Sequence, residues 1–448
     1  MNYLVSFVSL GCDKNLVDSE HMLGLLNQGG FSLTGEEQKA DVIVVNTCCF
    51  IEDAKKESIE NILEVASYKE NGSCKALIVT GCMAQRYKDE ILNEISEVDA
   101  VVGTTSYDKI VEIANSVLTQ KGIKTQTFDI IDREMLDGMP RILTTAGYFA
   151  YVKIAEGCDK HCTYCIIPKL RGKYRSRKMD KIKKEVQKLA NDGVSEIILV
   201  AQDTTEYGRD LNDETLTKLI QEISPIEGIE WIRILYCYPE SITDELIEEI
   251  KTNPKVCKYL DIPIQHASTS VLRRMARKSS LEQLKERLGK LRQEIPNIAL
   301  RTTLIVGFPG ETEEDFEILY NFVKEMRFDR LGVFTYSQEE DTPAASFNDQ
   351  IPENIKSKRR DSIMALQHSI SSELTAQKIG KTMKVLIEGK ITDEDVYIGR
   401  TYQDAPEIDG EVFVEYEGEL ISGDFVDVRI TASNDYDLIG EIVDEYSE

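Results

Sequence analysis

Positive charge is scarce in this sequence: 53 Lys and Arg stand against 79 Asp and Glu, a formal net charge of −26 over 448 residues. Such a chain does not adhere passively to nucleic acid or anionic lipid, and it favours a basic partner over a phosphate backbone. Long apolar runs are also missing. No stretch approaches the ~18 apolar residues of a membrane span, and the start, Met1 to Leu10, lacks the basic n-region of a signal peptide. Ten cysteines are too few for a secreted disulfide scaffold, so each is read as buried thiol, metal ligand or catalyst in a reducing compartment. These absences predict a soluble, cytoplasmic protein without a membrane partner. Internal repeats and low-complexity tracts are absent too.

The length predicts two to four domains at ~100–200 residues each. Tyr3 to Leu10, Asp41 to Asn46, Ala76 to Thr80 and Val98 to Val102 read as short strands separated by helical spacing, an open α/β domain over 1–125. A polar, irregular stretch from Gln126 to Thr145 reads as a linker. A second α/β run follows over 145–375, with strands expected at Tyr148 to Ala155, Glu196 to Ala201, Trp231 to Tyr236, Tyr259 to Pro263, Ile298 to Val306 and Arg330 to Tyr336. Six strands with intervening helices fit a partial (β/α)6 barrel better than a closed barrel of eight. Pro352 to about Lys378 reads as one long helix, and 379–448 changes to alternating strands, a small antiparallel β-barrel.

The strongest chemical signal is Glu156-Gly157-Cys158-Asp159-Lys160-His161-Cys162-Thr163-Tyr164-Cys165, a C-x3-C-x2-C loop just after the first barrel strand. Three thiolates this close hold three irons of a cubane cluster and leave the fourth open to a small molecule. The alternative, structural zinc, wants four closed ligands, and His161 adjoins Cys162 too directly to serve. Cys12, Cys48 and Cys82 are far apart in sequence, but each follows one of the first three strands. In a parallel sheet those ends share the edge where open α/β folds bind ligands, so the three are expected to converge on a second cluster. Each alone would read as a buried core residue. Cys49 adjoins Cys48, but consecutive residues on an extended chain point to opposite sides, so only one should ligate. Cys74, Cys237 and Cys257 have no partner at a ligand spacing and read as packing residues.

A C-x3-C-x2-C loop after the first strand of a partial barrel resembles the radical S-adenosylmethionine superfamily. The resemblance implies a [4Fe-4S] cluster whose open iron is chelated by S-adenosylmethionine, an electron donor, and reductive cleavage to a 5′-deoxyadenosyl radical. It places Tyr164 near the adenine, with a packing aromatic as the alternative. Two three-cysteine sites followed by a small β-barrel, then TRAM-like, resemble the methylthiotransferases over essentially the whole chain. Leu10 to Glu20 and Asp261 to Ser268 are similar to the branch acting on a ribosomal protein rather than on transfer RNA; Asp13, where that branch often has proline, departs from it beside a ligand without replacing one.

By that resemblance the chain carries two [4Fe-4S] clusters, uses S-adenosylmethionine as methyl donor and radical source, and places a methylthio group on the β-carbon of an aspartate in ribosomal protein S12. Gln202 and Asp203 end a strand at the cofactor face, and Gly307, Pro309 and Gly310 form a turn that permits close backbone approach to a ligand; all five are candidate cofactor contacts. Solvated strand-end residues and an ordinary βα turn are the alternatives. Arg171, Arg175 and Arg177 read either as charge for a carboxylate or as a solvated basic loop. His266 reads as structural, and no residue is singled out as a catalytic acid or base. Methylthiolation of a transfer-RNA adenosine and a non-catalytic metal-bound interaction protein stay open as alternatives. The acidic balance argues against nucleic acid as the direct substrate.

Overall fold

The computed structural model describes residues 3–120 and 122–443. The N-terminal sheet is parallel throughout, in the order β2-β1-β3-β4-β5-β6. Its strands are β1 (Leu4–Ser9), β2 (Ser32–Leu33), β3 (Val42–Thr47), β4 (Ala76–Gly81), β5 (Ala100–Val102) and β6 (Thr125–Thr127). β3 and β4 are buried at every position, as their near-continuous Val, Ile and Leu require in a sheet covered on both faces. Separate apolar clusters fill the two faces, one around Ile43, Leu77 and Val79 and one around Val44, Ile78 and Ile110.

The expected linker is different in kind. Its first residues are β6, and the rest is strapped down by ion pairs: Arg133 to Asp108 and Asp129, Arg141 to Glu20 and Glu185, and Asp137 to Arg177. Its polarity marks pairing partners rather than solvation.

The second sheet is also parallel and open, in the order β14-β13-β12-β11-β10-β7. It comprises β7 (Phe149–Lys153), β10 (Glu196–Val200), β11 (Trp231–Ile234), β12 (Val256–Asp261), β13 (Ala299–Val306) and β14 (Arg330–Thr335). Helices pack on its outer face; after β11, for example, Ile242, Leu246, Ile247 and Ile250 are buried as the spacing requires. A two-stranded ribbon, β8 (Ala155–Glu156) with β9 (Arg175–Ser176), ties off the base of the cysteine loop.

A helix, Glu353–Ala376, leads to a closed five-stranded barrel of β15 (Thr382–Lys390), β16 (Val396–Thr401), β17 (Val412–Glu415), β18 (Phe425–Ser433) and β19 (Leu438–Ile442). The pairing is antiparallel except between β17 and β19, which run parallel. An odd number of strands cannot alternate direction around a closed ring, so one parallel pair is unavoidable. The barrel plugs the inner side of the open sheet. Leu386 and Ala405 join Tyr151, Ile198, Trp231 and Tyr259 in one apolar cluster, which also takes Val17 from α1 (Asp13–Gln28).

Candidate metal centres and cofactor site

β1, β3 and β4 are neighbours in the first sheet, so Cys12, Cys48 and Cys82 emerge side by side from its carboxyl edge. Glycines shape two of the three turns. Gly11 and Gly81 precede their cysteines with φ of +92° and +91°, a region side chains avoid. A Cβ on Gly11 would lie 3.2 Å from Cys48 Sγ, which places that sulfur directly against the Cys12 turn. The three thiols interact electrostatically with one another. Burial pushes Cys48 up to about 12, with the neighbouring Cys82 and Cys12 adding to it, and burial raises Cys82 as well. A metal that ligates these sulfurs therefore displaces protons. Cys49 is fully buried in the apolar cluster beneath, with Ile43 and Ile62.

The second cysteine loop follows β8. Cys158 N donates to Gly172 O, Thr163 N to Met275 O, and Ala344 N to Thr163 O, fixing the loop at three points. Burial pushes Cys158 up to about 11, and burial with Cys162 and Cys158 nearby raises Cys165. The donor sets suit cubane clusters: three soft thiolates each and no closing fourth ligand. Among the described residues no three His, Cys, Asp or Glu side chains close around a single ion. In a cubane each thiolate binds a different iron, so its sulfurs stand apart.

The candidate cofactor residues fall into two groups. Gln202 donates to Glu156 Oε1 at 2.6 Å, and its own Oε1 is buried without a partner. Asp203 is ion-paired to Lys160 of the cysteine loop at 2.8 Å, and burial raises its carboxyl. Tyr164 packs with Phe308, Val271 and Met275, next to the Gly307-to-Gly310 turn. In that turn the glycines admit the chain's own atoms. A Cβ on Gly307 would meet Lys356 Cγ at 2.2 Å and one on Gly310 Asp349 Oδ2 at 2.5 Å, while Pro309 O accepts from Arg274 at 2.9 Å.

Five residues near the cysteines, Arg277, Tyr238, Lys160, Tyr236 and Lys14, had no role legible in the sequence. Arg277 is buried, its guanidinium 4.2 Å from the Tyr238 ring centroid, with Nε and Nη1 unpartnered. Two idle buried donors are the demand a polar ligand meets. Lys160 Nζ lies 3.7 Å from the centroid of the same ring, and Tyr236, two residues earlier, carries Lys14 3.1 Å from its ring centroid. The dense basic run Arg273-Arg274-Met275-Ala276-Arg277 was the available signal. The reading of Arg171 and Arg177 needs correction: both are buried and paired to carboxylates of this chain, so neither forms a solvated loop. His266 is fully buried, its Nδ1 accepting from Ser268 N at 2.9 Å, but its Nε2, 3.8 Å from Glu311, has no hydrogen-bond partner, so the ring is only half satisfied.

An open parallel barrel with a three-cysteine loop behind its first strand defines a radical S-adenosylmethionine enzyme, and residues 152–323 match the radical SAM superfamily. Residues 4–103 match the uncharacterized protein family UPF0004, and 379–443 the TRAM domain. The ribosomal protein uS12 methylthiotransferase RimO of Lachnoclostridium phytofermentans is 57% identical over 97% of this chain and 99% of its own. That of Acetivibrio thermocellus is 52% identical over 100% of both, and that of Clostridium botulinum 54% over 99% of both. The chain belongs to the ribosomal protein uS12 methylthiotransferase family. In fold it is similar to the radical S-adenosylmethionine methyltransferase TsrM of Kitasatospora setae, solved with cobalamin and a [4Fe-4S] cluster (TM-score 0.56, 14% identity, 77% of each chain).

Proposed function

We propose that this chain methylthiolates the β-carbon of an aspartate in ribosomal protein uS12, with Cys158, Cys162 and Cys165 holding the cluster that binds S-adenosylmethionine and Cys12, Cys48 and Cys82 holding a second. The observation that carries the reading is the shared wall between the two cysteine sets. On the loop after β11, the Tyr236 hydroxyl donates to Asp13, next to Cys12, at 3.1 Å, and Tyr238 holds Lys160 of the second cysteine loop 3.7 Å from its ring centroid. The family resemblance supports the substrate.

When bound, the cluster and S-adenosylmethionine supply a carbon radical, the reagent an unactivated C–H bond requires. The protein's part is to bind, orient and exclude water. Arg277 offers its idle donors to a carboxylate, Gln202 offers its free Oε1 to a donor, and the Tyr164 ring, packed on the Phe308 cluster, gives an apolar surface. The C-terminal barrel reaches the same interior: Asp409 accepts from Tyr259 at 2.7 Å, and Glu407 lies near Tyr151 together with Asp13. Glu407 is exposed there, and with the other exposed acids of the barrel, Glu394, Glu417 and Glu419, it suits a basic ribosomal protein. Action in the cytoplasm follows from that substrate, and the radical chemistry requires an electron donor; no helix among the described residues is long and apolar enough to cross a membrane.

The test is anaerobic reconstitution with iron and sulfide, followed by incubation with S-adenosylmethionine, a reductant and uS12. Mass spectrometry is expected to find methylthio in place of hydrogen on one aspartate. Cofactor cleavage without uS12 modification, but with modified transfer RNA, would overturn the substrate.

A further inference from the structure

Two residues beyond Cys165, the short helix Ile167–Arg171 leaves the second cysteine loop and packs into the N-terminal domain. Ile166 and Leu170 enter the apolar cluster of Cys49 and Cys82, and Thr104 Oγ1 donates to Leu170 O at 2.8 Å. The helix thereby delivers Arg171, 2% exposed, to the first cysteine site. Its Nη1 donates to Asp18 Oδ2 at 2.7 Å and Glu156 Oε2 at 3.1 Å, and its Nη2 donates to Asn15 Oδ1. Lys153 completes the group, donating to Asp18 and, at 2.8 Å, to Glu156. Two cations and two carboxylates balance without any contribution from the thiols.

Iron binding upsets that arrangement at one atom. As a thiol, Cys82 Sγ donates to Asn15 Oδ1 at 3.9 Å. As a ligand it has no proton, becomes an acceptor, and faces the oxygen of Asn15. The Asn15 amide cannot turn round, because its Nδ2 donates to Leu10 O and Thr47 O, both at 3.0 Å. The Arg171 guanidinium donates to that same Asn15 oxygen, so one atom joins it to the Cys82 sulfur, and its positive charge acts on that thiol.

We propose that Arg171 is the hydrogen-bond donor and counter-charge of the Cys82 sulfur in the iron-loaded protein, and so sets the reduction potential of the cluster held by Cys12, Cys48 and Cys82. It is a positioning residue. Hydrogen bonds and positive charge at ligand sulfurs favour the reduced, more negative cluster. Glu156, two residues before Cys158, competes for the same guanidinium, so one carboxylate of the second loop weighs on the first site.

The inference rests on the proposed ligand assignment, and the experiment separates the two. The full chain carrying Cys158→Ala, Cys162→Ala and Cys165→Ala is reconstituted anaerobically, and its remaining cluster is titrated by EPR. Arg171→Lys keeps a charge for Asp18 and Glu156 but loses the second nitrogen. It is expected to lower the reduced-to-oxidised ratio at fixed poise at least tenfold, which for one electron is 59 mV. Glu156→Gln keeps the guanidinium and frees it from one carboxylate, so it is expected to shift the potential the opposite way. An unshifted potential in Glu156→Gln overturns the proposal, including where Arg171→Lys fails to load iron. Absence of iron in the triple-alanine parent instead overturns the ligand assignment, and the proposal with it.

Discussion

The Tyr236 hydroxyl lies 3.1 Å from Asp13 Oδ1, tying the residue after Cys12 to the loop that follows β11. Tyr236 has φ of +59°, a conformation bulky residues rarely adopt. The bend lays its ring under Lys14, and two residues later Tyr238 turns to Lys160 and Arg277. One loop of the second domain thus touches both cysteine sets. Asp13, the position that departs from the family pattern, takes part in this junction and pairs with Lys14 at 3.0 Å.

Two separate three-thiolate sites should each hold a cubane, giving about eight irons per chain after anaerobic reconstitution. Replacing Cys158, Cys162 and Cys165 with alanine should leave about four. Iron and sulfide assays check both numbers, and a wild-type protein that never exceeds about four irons defeats the two-cluster reading.

Cys48 lies against the Gly11 turn, whereas Cys49 is buried in the core on the other side of the chain. Cys49→Ala is therefore expected to keep both clusters and most activity, at a stability cost of about 1 kcal/mol. Cys48→Ala should lose the N-terminal cluster. Iron analysis of the pair decides, and the reverse pattern would exchange the assignment.

Gly81→Ala should cost more than its size suggests. Its φ is +91°, and a Cβ there would lie 2.3 Å from Asn46 Oδ1 and 2.5 Å from Thr47 O. Strain of about 1–3 kcal/mol adds to the clash, and the strand ends carrying Cys48 and Cys82 must separate. About half the iron should be lost. Gly30→Ala is the control, since it shares a positive φ of +89° but meets nothing within 4 Å. It is expected to keep all its iron.

The cysteines were legible because a parallel sheet puts strand ends on one edge, so residues at Cys12, Cys48 and Cys82 converge without any knowledge of distance. The local spacing of Cys158, Cys162 and Cys165 needed even less. The ion network was not legible: Asp18 and Arg171 lie 153 residues apart, and neither stands at a strand end. Their charges read equally well as solvated. For the same reason the strap after β6 looked like a linker, and β6, with Thr125 and Gln126 half-buried or exposed, had no apolar alternation to betray it. The barrel's acidic count was legible, but not that Asp404, Asp409 and Glu388 are spent on Arg330, Arg301 and Arg400.

Acid should weaken the contact between α1 and the strap. His21, whose Nδ1 is 3.3 Å from Pro140 O, is held down to about 4 by burial and by Arg141 beside it. The fold favours the neutral ring, so the unfolded chain binds the extra proton. His21 therefore contributes fully above its ordinary value of 6.5 and loses its contribution as pH falls from there toward 4. The loss amounts to about 2–3 kcal/mol. His21→Gln should flatten this limb when urea stability is compared at about pH 7.5 and about pH 5. The difference between the two proteins isolates His21 from Glu311, which burial raises to about 7 and which works in the opposite sense. Parallel acid limbs in the two proteins would show that His21 does not carry the effect.

The last expectation concerns the substrate protein. Residues 379–448 hold five basic and nineteen acidic side chains, a net charge of −14. Removing the barrel is a poor test, because Arg400 pairs with the buried Glu196 and Asp404 with Arg330, and deletion would strand both partners. Unpaired buried charge is strongly destabilising. The exposed acids Glu394, Glu407, Glu417 and Glu419 can instead be changed to glutamine together. A basic ribosomal protein steered by this lobe should bind on the order of tenfold more weakly to the variant, mainly through a slower on-rate. Wild-type binding should weaken with salt and the variant's should weaken less. A transfer-RNA binder needs a basic stripe, which this lobe lacks. Titrating uS12 and transfer RNA against both proteins at two ionic strengths checks the expectation. Unchanged uS12 affinity in the variant, or tight transfer-RNA binding by the wild type, would remove the barrel from substrate docking.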